Sequence, residues 1–285
     1  MGSSSKLDQL LEEVVTLPSL PSTVARITQL LNDPDATLQE VGKAIAADTA
    51  LALKTLRLVN SAYYGVREKV STVQHAAVLL GMKVIKNLVF TAAVFDTLQF
   101  GEEDLIRHNV ACGIAMKHLL ASGLVQAEAL ENADEGFIFG LLHDVGKILM
   151  QHYMQEDARA VMEACTSREL SATEGELEVV GVDHAEIGAR LAQQWKLPEN
   201  LVDAIAGHHD LSKCREPANR KLTAILSVAD YISYQAGIPA RENMQVKIGE
   251  EMWQETGLHP EAVGPVVEKL IESTVDVDEL VDLAS

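Results

Sequence analysis

Apolar residues recur at three- and four-residue spacing along almost the whole chain, as in Leu10, Leu11, Val14 and Val15 and again in Val24, Ile27, Leu30 and Leu31. On a helix of 3.6 residues per turn this spacing gathers the apolar side chains on one face. A half-buried strand needs strict alternation, which is scarce here. The pattern predicts an all-α protein. Helix-start signals agree: Thr37 with Glu40, Ser71 with Gln74 and Ser171 with Glu174 have the spacing at which two side chains satisfy free amide hydrogens reciprocally. Gly81, Gly101 and Gly207 stand where helices can stop. Pro18, Pro21 and Pro34 punctuate the first segment and predict a short helix over Ser22 to Leu31, entered through a rigid turn. No repeat of fixed period stands out.

A Gly-Glu-Glu-Asp run at residues 101–104 interrupts two apolar helical patterns, and Gly237 with Pro239 separates a further one from an acidic end. The organisation expected is an N-terminal helical part over residues 6–103, a helical bundle over residues 104–238 and an acidic helical tail over residues 239–285. Residues 1–5 are small and polar and are set aside from the fold reasoning. At 285 residues the chain can bury a large core without disulfides. Its three cysteines, Cys112, Cys165 and Cys214, form no CxxC pair, which fits a reducing cytoplasm. No apolar run is long enough to span a bilayer and no secretion signal is evident, so a soluble cytoplasmic protein that does not engage membranes is expected.

The net charge of −19 disfavours general attraction to nucleic-acid phosphates. Residues 51–90 run against that trend, with Lys54, Arg57, Arg67, Lys69, Lys83 and Lys86 set against the single acid Glu68. Such a segment either meets an anionic partner or is a solvated face. Within it, Asn60, Tyr63 and Arg57 are candidate partner-surface residues, with helix capping as the alternative for Asn60.

Chemistry concentrates at His143-Asp144-Val145-Gly146-Lys147, which follows the apolar run Phe137 to Leu142 and is read as part of a buried helix. A buried carboxylate needs a partner, and a divalent cation that accepts both nitrogen and oxygen donors is one. Lys147, one helical turn on, can reach a phosphate bound to the same ion. The alternative is that Asp144 pairs with Lys147 while His143 binds a backbone carbonyl. His184, the adjacent His208 and His209, and Asp230 follow in order, and His108 precedes them. Imidazole and carboxylate donors of this kind suit iron, manganese, zinc or nickel, and two such ions can share a bridging carboxylate. His75, His118, His152 and His259 lie outside the series and are assigned to surfaces or caps.

The series resembles that of the HD superfamily of metal-dependent phosphohydrolases: a leading His, the His-Asp pair, a later His, a further His pair and a final Asp. The resemblance implies that His108, His143, Asp144 and Asp230 hold a first ion. It also implies that His184, His208 and His209 serve a second ion or a substrate phosphate. The stretches Leu17-Pro18-Ser19-Leu20-Pro21, Ile45-Ala46-Ala47-Asp48, Leu56-Arg57-Leu58-Val59-Asn60-Ser61, Ala76-Ala77-Val78-Leu79-Leu80-Gly81, residues 182–188 and Trp195-Lys196-Leu197-Pro198 are similar to the HDOD pattern within that superfamily. HDOD proteins are helical bacterial signalling modules, so the resemblance implies a multi-helix HD-like bundle with an additional N-terminal helical subdomain and signalling proteins as partners. Many members have lost parts of the catalytic set, whereas this chain retains it. The related HD-GYP phosphodiesterases follow their histidine pair with Glu and a Gly-Tyr-Pro segment. Here Asp210-Leu211-Ser212-Lys213 stands in that place, which argues against cyclic-dinucleotide cleavage.

Three functions remain open at this level. One is a regulatory module with a metal-binding HD centre. Another is a metal-dependent phosphohydrolase or phosphodiesterase acting on a nucleotide or other phosphate ester, with Lys147 and His184 as the groups that steady the charge developing on phosphate. The third is a scaffold in which the polar series forms a hydrogen-bond network without metal.

Overall fold

The computed structural model describes residues 27, 30, 36–67, 69–98, 101–128, 130, 133–240 and 248–284. Among them there are helices and no strands. In chain order the α-helices are α1 (Leu38–Ala46), α2 (Thr49–Val59), α3 (Val73–Leu98), α4 (Glu103–Ala121), α5 (Ala133–Leu142), α6 (Val145–Tyr153), α7 (Gln155–Arg168), α8 (Ala172–Val179), α9 (His184–Gln194), α10 (Glu199–Gly207), α11 (Arg220–Gln235), α12 (Glu250–Thr256), α13 (Gly264–Glu272) and α14 (Thr274–Ala284). No helix among the described residues is long and apolar enough to cross a membrane. The helix expected over Ser22 to Leu31 lies outside the described residues except for Ile27 and Leu30, both helical.

The described residues fall into two units, one within Pro18–Gln99 and Ser273–Ser285 and the other within Phe100–Glu272. In the first unit, α1 opens on the capping box that its sequence spells: Thr37 accepts from the Glu40 amide while Glu40 accepts from that of Thr37. Leu51, Thr55, Leu58 and Val59 form the buried stripe of α2, at helical spacing. Leu53, Arg57 and Asn60 lie along its exposed side. Asn60 caps the C-terminus of α2 and uses its amide like a short piece of backbone. Its nitrogen donates to the Leu56 and Val70 carbonyls at 2.7 and 2.8 Å, and its oxygen accepts from the Val70 amide at 2.8 Å. The start of α3 differs by one residue from the sequence expectation. Thr72 rather than Ser71 accepts from an amide of the first turn, that of His75, at 3.1 Å. At Gly81 (φ 82°, ψ 168°) α3 kinks, a backbone conformation that a Cβ would strain. Glu279 of α14 accepts from the Ala62 amide at 2.9 Å and so ties the last helix into this unit.

In the second unit α4 and α5 run antiparallel with their backbones in contact. A Cβ at Gly140 would lie 2.3 Å from the Gly113 nitrogen, and one at Gly136 would meet Leu120, so rising numbers on α5 meet falling numbers on α4. That register carries His108 to His143, with ring centroids 5.3 Å apart. A second close crossing joins α6 to α9, where a Cβ at Gly146 would sit 1.9 Å from the His184 carbonyl oxygen. Gly146→Ala is therefore expected to force these helices apart. It should cost about 1–3 kcal/mol in chemical denaturation, as overpacked cores do. A denaturation midpoint unchanged from wild type would contradict that account.

Candidate metal centre

The His-Asp pair does not lie within a helix, as its apolar surroundings suggest. His143 and Asp144 form the break between α5 and α6, with Asp144 at the N-cap position (φ −102°, ψ 15°). The break lets both side chains face one point. His108 comes from α4, His184 is the first residue of α9, His208 and His209 directly follow α10, and Asp230 comes from α11. All seven side chains named from the sequence converge.

Asp144 sits at the centre. Its Oδ2 lies 3.5 Å from His143 Nε2 and 3.9 Å from His108 Nε2, and its Oδ1 lies 3.1 Å from His184 Nε2 and 3.7 Å from His208 Nε2. Asp230 Oδ1 is 3.0 Å from His108 Nε2 and 3.7 Å from His143 Nε2. His209 Nε2 approaches His184 Nε2 to 3.0 Å. His108, His143, Asp144, His184, His208 and Asp230 are all at most 3% exposed. Two groups of candidate ligand atoms result, His108–His143–Asp144 and Asp144–His184–His208–His209, each with atoms within 4.8 Å of one another. Asp144 belongs to both.

The outer contacts fix the inner ones. His143 Nδ1 meets the Gly140 carbonyl at 2.7 Å, His208 Nδ1 the Ile205 carbonyl at 2.7 Å and His108 Nδ1 the Ile238 carbonyl at 2.8 Å. A carbonyl only accepts, so each Nδ1 carries the hydrogen and each Nε2 is turned inward. His184 Nδ1 contacts Glu176 Oε2 of α8 at 2.6 Å, and the same oxygen accepts from the His184 amide at 2.9 Å. On the inner side His108 Nε2, His143 Nε2, His208 Nε2, Asp144 Oδ1 and Asp230 Oδ1 are buried without a hydrogen-bond partner. Asp144 Oδ1 and Asp230 Oδ1 do lie 3.1 and 3.0 Å from His184 Nε2 and His108 Nε2, so these atoms contact one another without forming aligned hydrogen bonds, and such a buried gathering of nitrogen and oxygen donors fits a divalent transition ion. Lys147 donates to Asp144 Oδ2 at 2.6 Å. Both contacts of the metal-free alternative are thus present, the Asp144–Lys147 pair and the His143–carbonyl bond. They consume only one oxygen and one nitrogen, and the remaining donor atoms still point inward.

Charge in the cage is balanced. Burial opposes ionisation of Asp144, but His143, then Lys147 and His184, hold its carboxyl well below the usual range. Asp230 is likewise held low against burial, by His108 and His143. Burial lowers the basicity of the imidazoles, yet Asp144 keeps His143 well above its ordinary value, and Glu176, with Asp144, raises His184 from 6.5 to about 9. Burial pushes His208 and His209 down, so both stay neutral. Without an ion, protons on His143 and His184 together with the Lys147 ammonium face the carboxylates of Asp144 and Asp230, with Glu176 behind His184. A divalent cation would displace protons from these imidazoles. Binding of a first ion near pH 7 is therefore expected to release protons, up to about the two held by His143 and His184, measurable by calorimetry in buffers of different ionisation enthalpy, and release of none would contradict this balance. The raised His184 imidazole stabilises metal-free protein fully below its ordinary value near 6.5, and that contribution is lost as pH climbs through about 9. The denaturation midpoint of chelated protein should fall over that interval relative to loaded protein.

The loop that carries the histidine pair is pinned at two points. Asp203 of α10 accepts from Arg215 Nε at 3.0 Å, the Glu216 amide at 3.0 Å and Asn219 Nδ2 at 2.9 Å. Asp183 caps α9 through the Glu186 amide at 2.8 Å and pairs with Lys213 at 2.5 Å. Sequence reading passed over Glu176, Asp203 and the three carbonyls. Arg57 and Asn60 are exposed and Tyr63 is half-buried, all in the other unit. His75, His152 and His259 are exposed and His118 is half-buried, outside the cluster.

An all-helical bundle with a buried histidine and aspartate cage of this order defines an HD-type protein. The model of the HDOD domain family matches residues 17–211, more than half of the chain, and the chain belongs to that family. A protein from Shewanella amazonensis SB2B described as a phosphohydrolase is 26% identical, with a TM-score of 0.75 and coverage of 97% of this chain and 98% of that one. A protein from Marinobacter aquaeolei VT8 described as a signal-transduction protein shares the fold at 19% identity and a TM-score of 0.76, over 99% of this chain and 65% of that one. An uncharacterised protein of Treponema pallidum (strain Nichols) is 28% identical over 206 residues, 72% of this chain and 40% of its own length. The chain spans less than half the length of the curated relatives it matches.

Proposed function

We propose that this chain is a regulatory HDOD module whose cage binds one or two divalent transition ions, iron, manganese, zinc or nickel, as a structural or ligand-sensing centre. The observation that carries this reading is the set of five buried donor atoms with no hydrogen-bond partner, contributed by His108, His143, Asp144, His208 and Asp230. His184 and His209 complete the set. The exposed side of α2 around Arg57 is the face offered to signalling partners, and membership of the HDOD family supports a module. Metal content after purification without chelator tests the reading. About one or two ions per chain support it, and content below a tenth of an ion per chain sinks it in favour of a hydrogen-bonded scaffold.

A second reading is favoured by Lys147, whose ammonium stands at the bridging carboxylate while keeping two N–H bonds for another acceptor. In a metal-dependent phosphohydrolase a bound ion would supply Lewis acidity and a more acidic water. Lys147 would then steady negative charge on phosphate, and His184, oriented by Glu176, would hold a proton beside it. A screen of phosphate esters with added manganese or iron separates the two readings. Turnover that Asp144→Ala abolishes assigns the enzyme, and metal binding without turnover assigns the module.

A further inference from the structure

Asp230 and Tyr234 stand four residues apart on α11 and therefore share a face. Both meet His108. Asp230 Oδ1 lies 3.0 Å from His108 Nε2, and the Tyr234 ring packs edge-to-face against the imidazole, with centroids 5.1 Å apart and planes at 71°. Just beyond the helix end Gly237 takes the left-handed conformation (φ 76°), and the Gly237 and Ile238 amides bond back to the Tyr234 and Ser233 carbonyls at 3.0 Å each. That turn delivers the Ile238 carbonyl to His108 Nδ1 at 2.8 Å. One stretch of chain thus holds this ring at both nitrogens and against an aromatic face. We propose that Tyr234 is a positioning residue for the metal centre: its ring sets the tilt of the His108 imidazole and so the aim of Nε2.

The contacts at the two nitrogens do not set that tilt. A bond to a ring nitrogen is made in the ring plane, so a carbonyl at Nδ1 and an ion at Nε2 leave the imidazole free to rock about the line joining its nitrogens. Rocking swings the Nε2 lone pair off the ion. An aromatic ring packed edge-to-face against the imidazole opposes it. The neighbouring His143 ring, with its centroid 5.3 Å away, is itself a candidate ligand, whereas Tyr234 stands outside the ligand set and gives His108 a fixed reference. Tyr234 is in turn held by the turn that follows it, where the Ala240 amide meets its hydroxyl. This inference deepens the metal-binding reading and rests on it for the effect on affinity; the hold on the ring does not depend on metal.

The test loads the full chain with cobalt as a spectroscopic ion. Tyr234→Leu, which keeps an apolar side chain and removes the ring, should lower cobalt affinity by about tenfold and shift the visible ligand-field bands. Tyr234→Phe keeps the edge-to-face pair and loses the hydroxyl, and it should stay within about twofold of wild type with its bands unshifted. In chelated protein carrying nitrogen-labelled histidine, the His108 Nδ1 hydrogen should exchange with water faster in Tyr234→Leu than in wild type or Tyr234→Phe, because a rocking ring opens the bond to Ile238 more often. Tyr234→Met takes the place of Tyr234→Leu should that variant not fold. The proposal is overturned if the ringless variant folds and binds cobalt as wild type does, or if its affinity falls while bands and exchange stay unchanged, which is general loosening. It is also overturned if Tyr234→Phe loses as much as Tyr234→Leu, which places the effect in the hydroxyl and its bond to Ala240. Failure of wild type to bind cobalt would sink the metal reading instead, and the exchange rates alone would then decide the tilt, equal rates in all three proteins overturning it.

Discussion

Asp144→Ala is expected to lower metal affinity by more than about a hundredfold, so that protein purified without chelator carries less than a tenth of the wild-type metal. Loss of an outer-shell partner typically costs 10–100-fold, and Asp144 is itself the candidate ligand that both groups share, one oxygen to His143 and His108, the other to His184 and His208. Asp230→Ala should weaken binding less, because Asp230 approaches only His108 and His143. The comparison is read by elemental analysis and by competition with a metal indicator. Equal losses in the two variants would count against a bridging carboxylate, and wild-type metal content in Asp144→Ala would remove the cage altogether.

Asp203→Ala should cost about 3 kcal/mol in urea unfolding. It strips the acceptor from a guanidinium, a backbone amide and a buried asparagine at once. Because this carboxylate holds the loop after the histidine pair, metal affinity should fall with it by about tenfold. Acid titration supplies an independent signature. Against burial, the Asn219, Glu216 and Arg215 donors hold the Asp203 carboxyl below its ordinary 3.8. Its contribution is therefore present above that pH and is lost as pH falls through its lower folded value. Wild type should lose this increment on acidification and the variant should not. An unchanged urea midpoint would show that the loop is held by other contacts.

How far the sequence could be read depended on whether the relevant signal was local. Thr37 with Glu40 and Ser171 with Glu174 start their helices because a capping box is a contact between residues three apart. Ser71 and Thr72 are both competent caps, and only the path into α3 chooses between them. The seven candidate ligands were legible because histidine and aspartate are conspicuous among apolar neighbours. The break at His143–Asp144 was not, since the apolar spacing continues across it from α5 into α6. Glu174, Glu176 and Glu178 look alike in sequence, yet Glu176 is 4% exposed and bound to His184 while the other two face solvent. Gly237 and Ile238 read as a linker to an acidic tail, yet the Ile238 carbonyl fixes the ring of His108 from 130 residues away. Backbone acceptors leave no mark on side-chain identity, and for that reason they were passed over.

That same reliance on main chain frees two of the imidazoles, His108 and His208, from the identity of the side chains at their acceptors. Substitution at positions 205 or 238 deletes no peptide oxygen, so the aim of His208 and His108 tolerates drift there, whereas position 140 admits no Cβ, which would lie 2.3 Å from the Gly113 nitrogen. His184 alone among the four leans on a replaceable group. Glutamine at position 176 would keep the bond and lose the charge, and alanine would release the ring. A lineage that needed to retune this centre, or an experimenter who wished to, has a dial at Glu176.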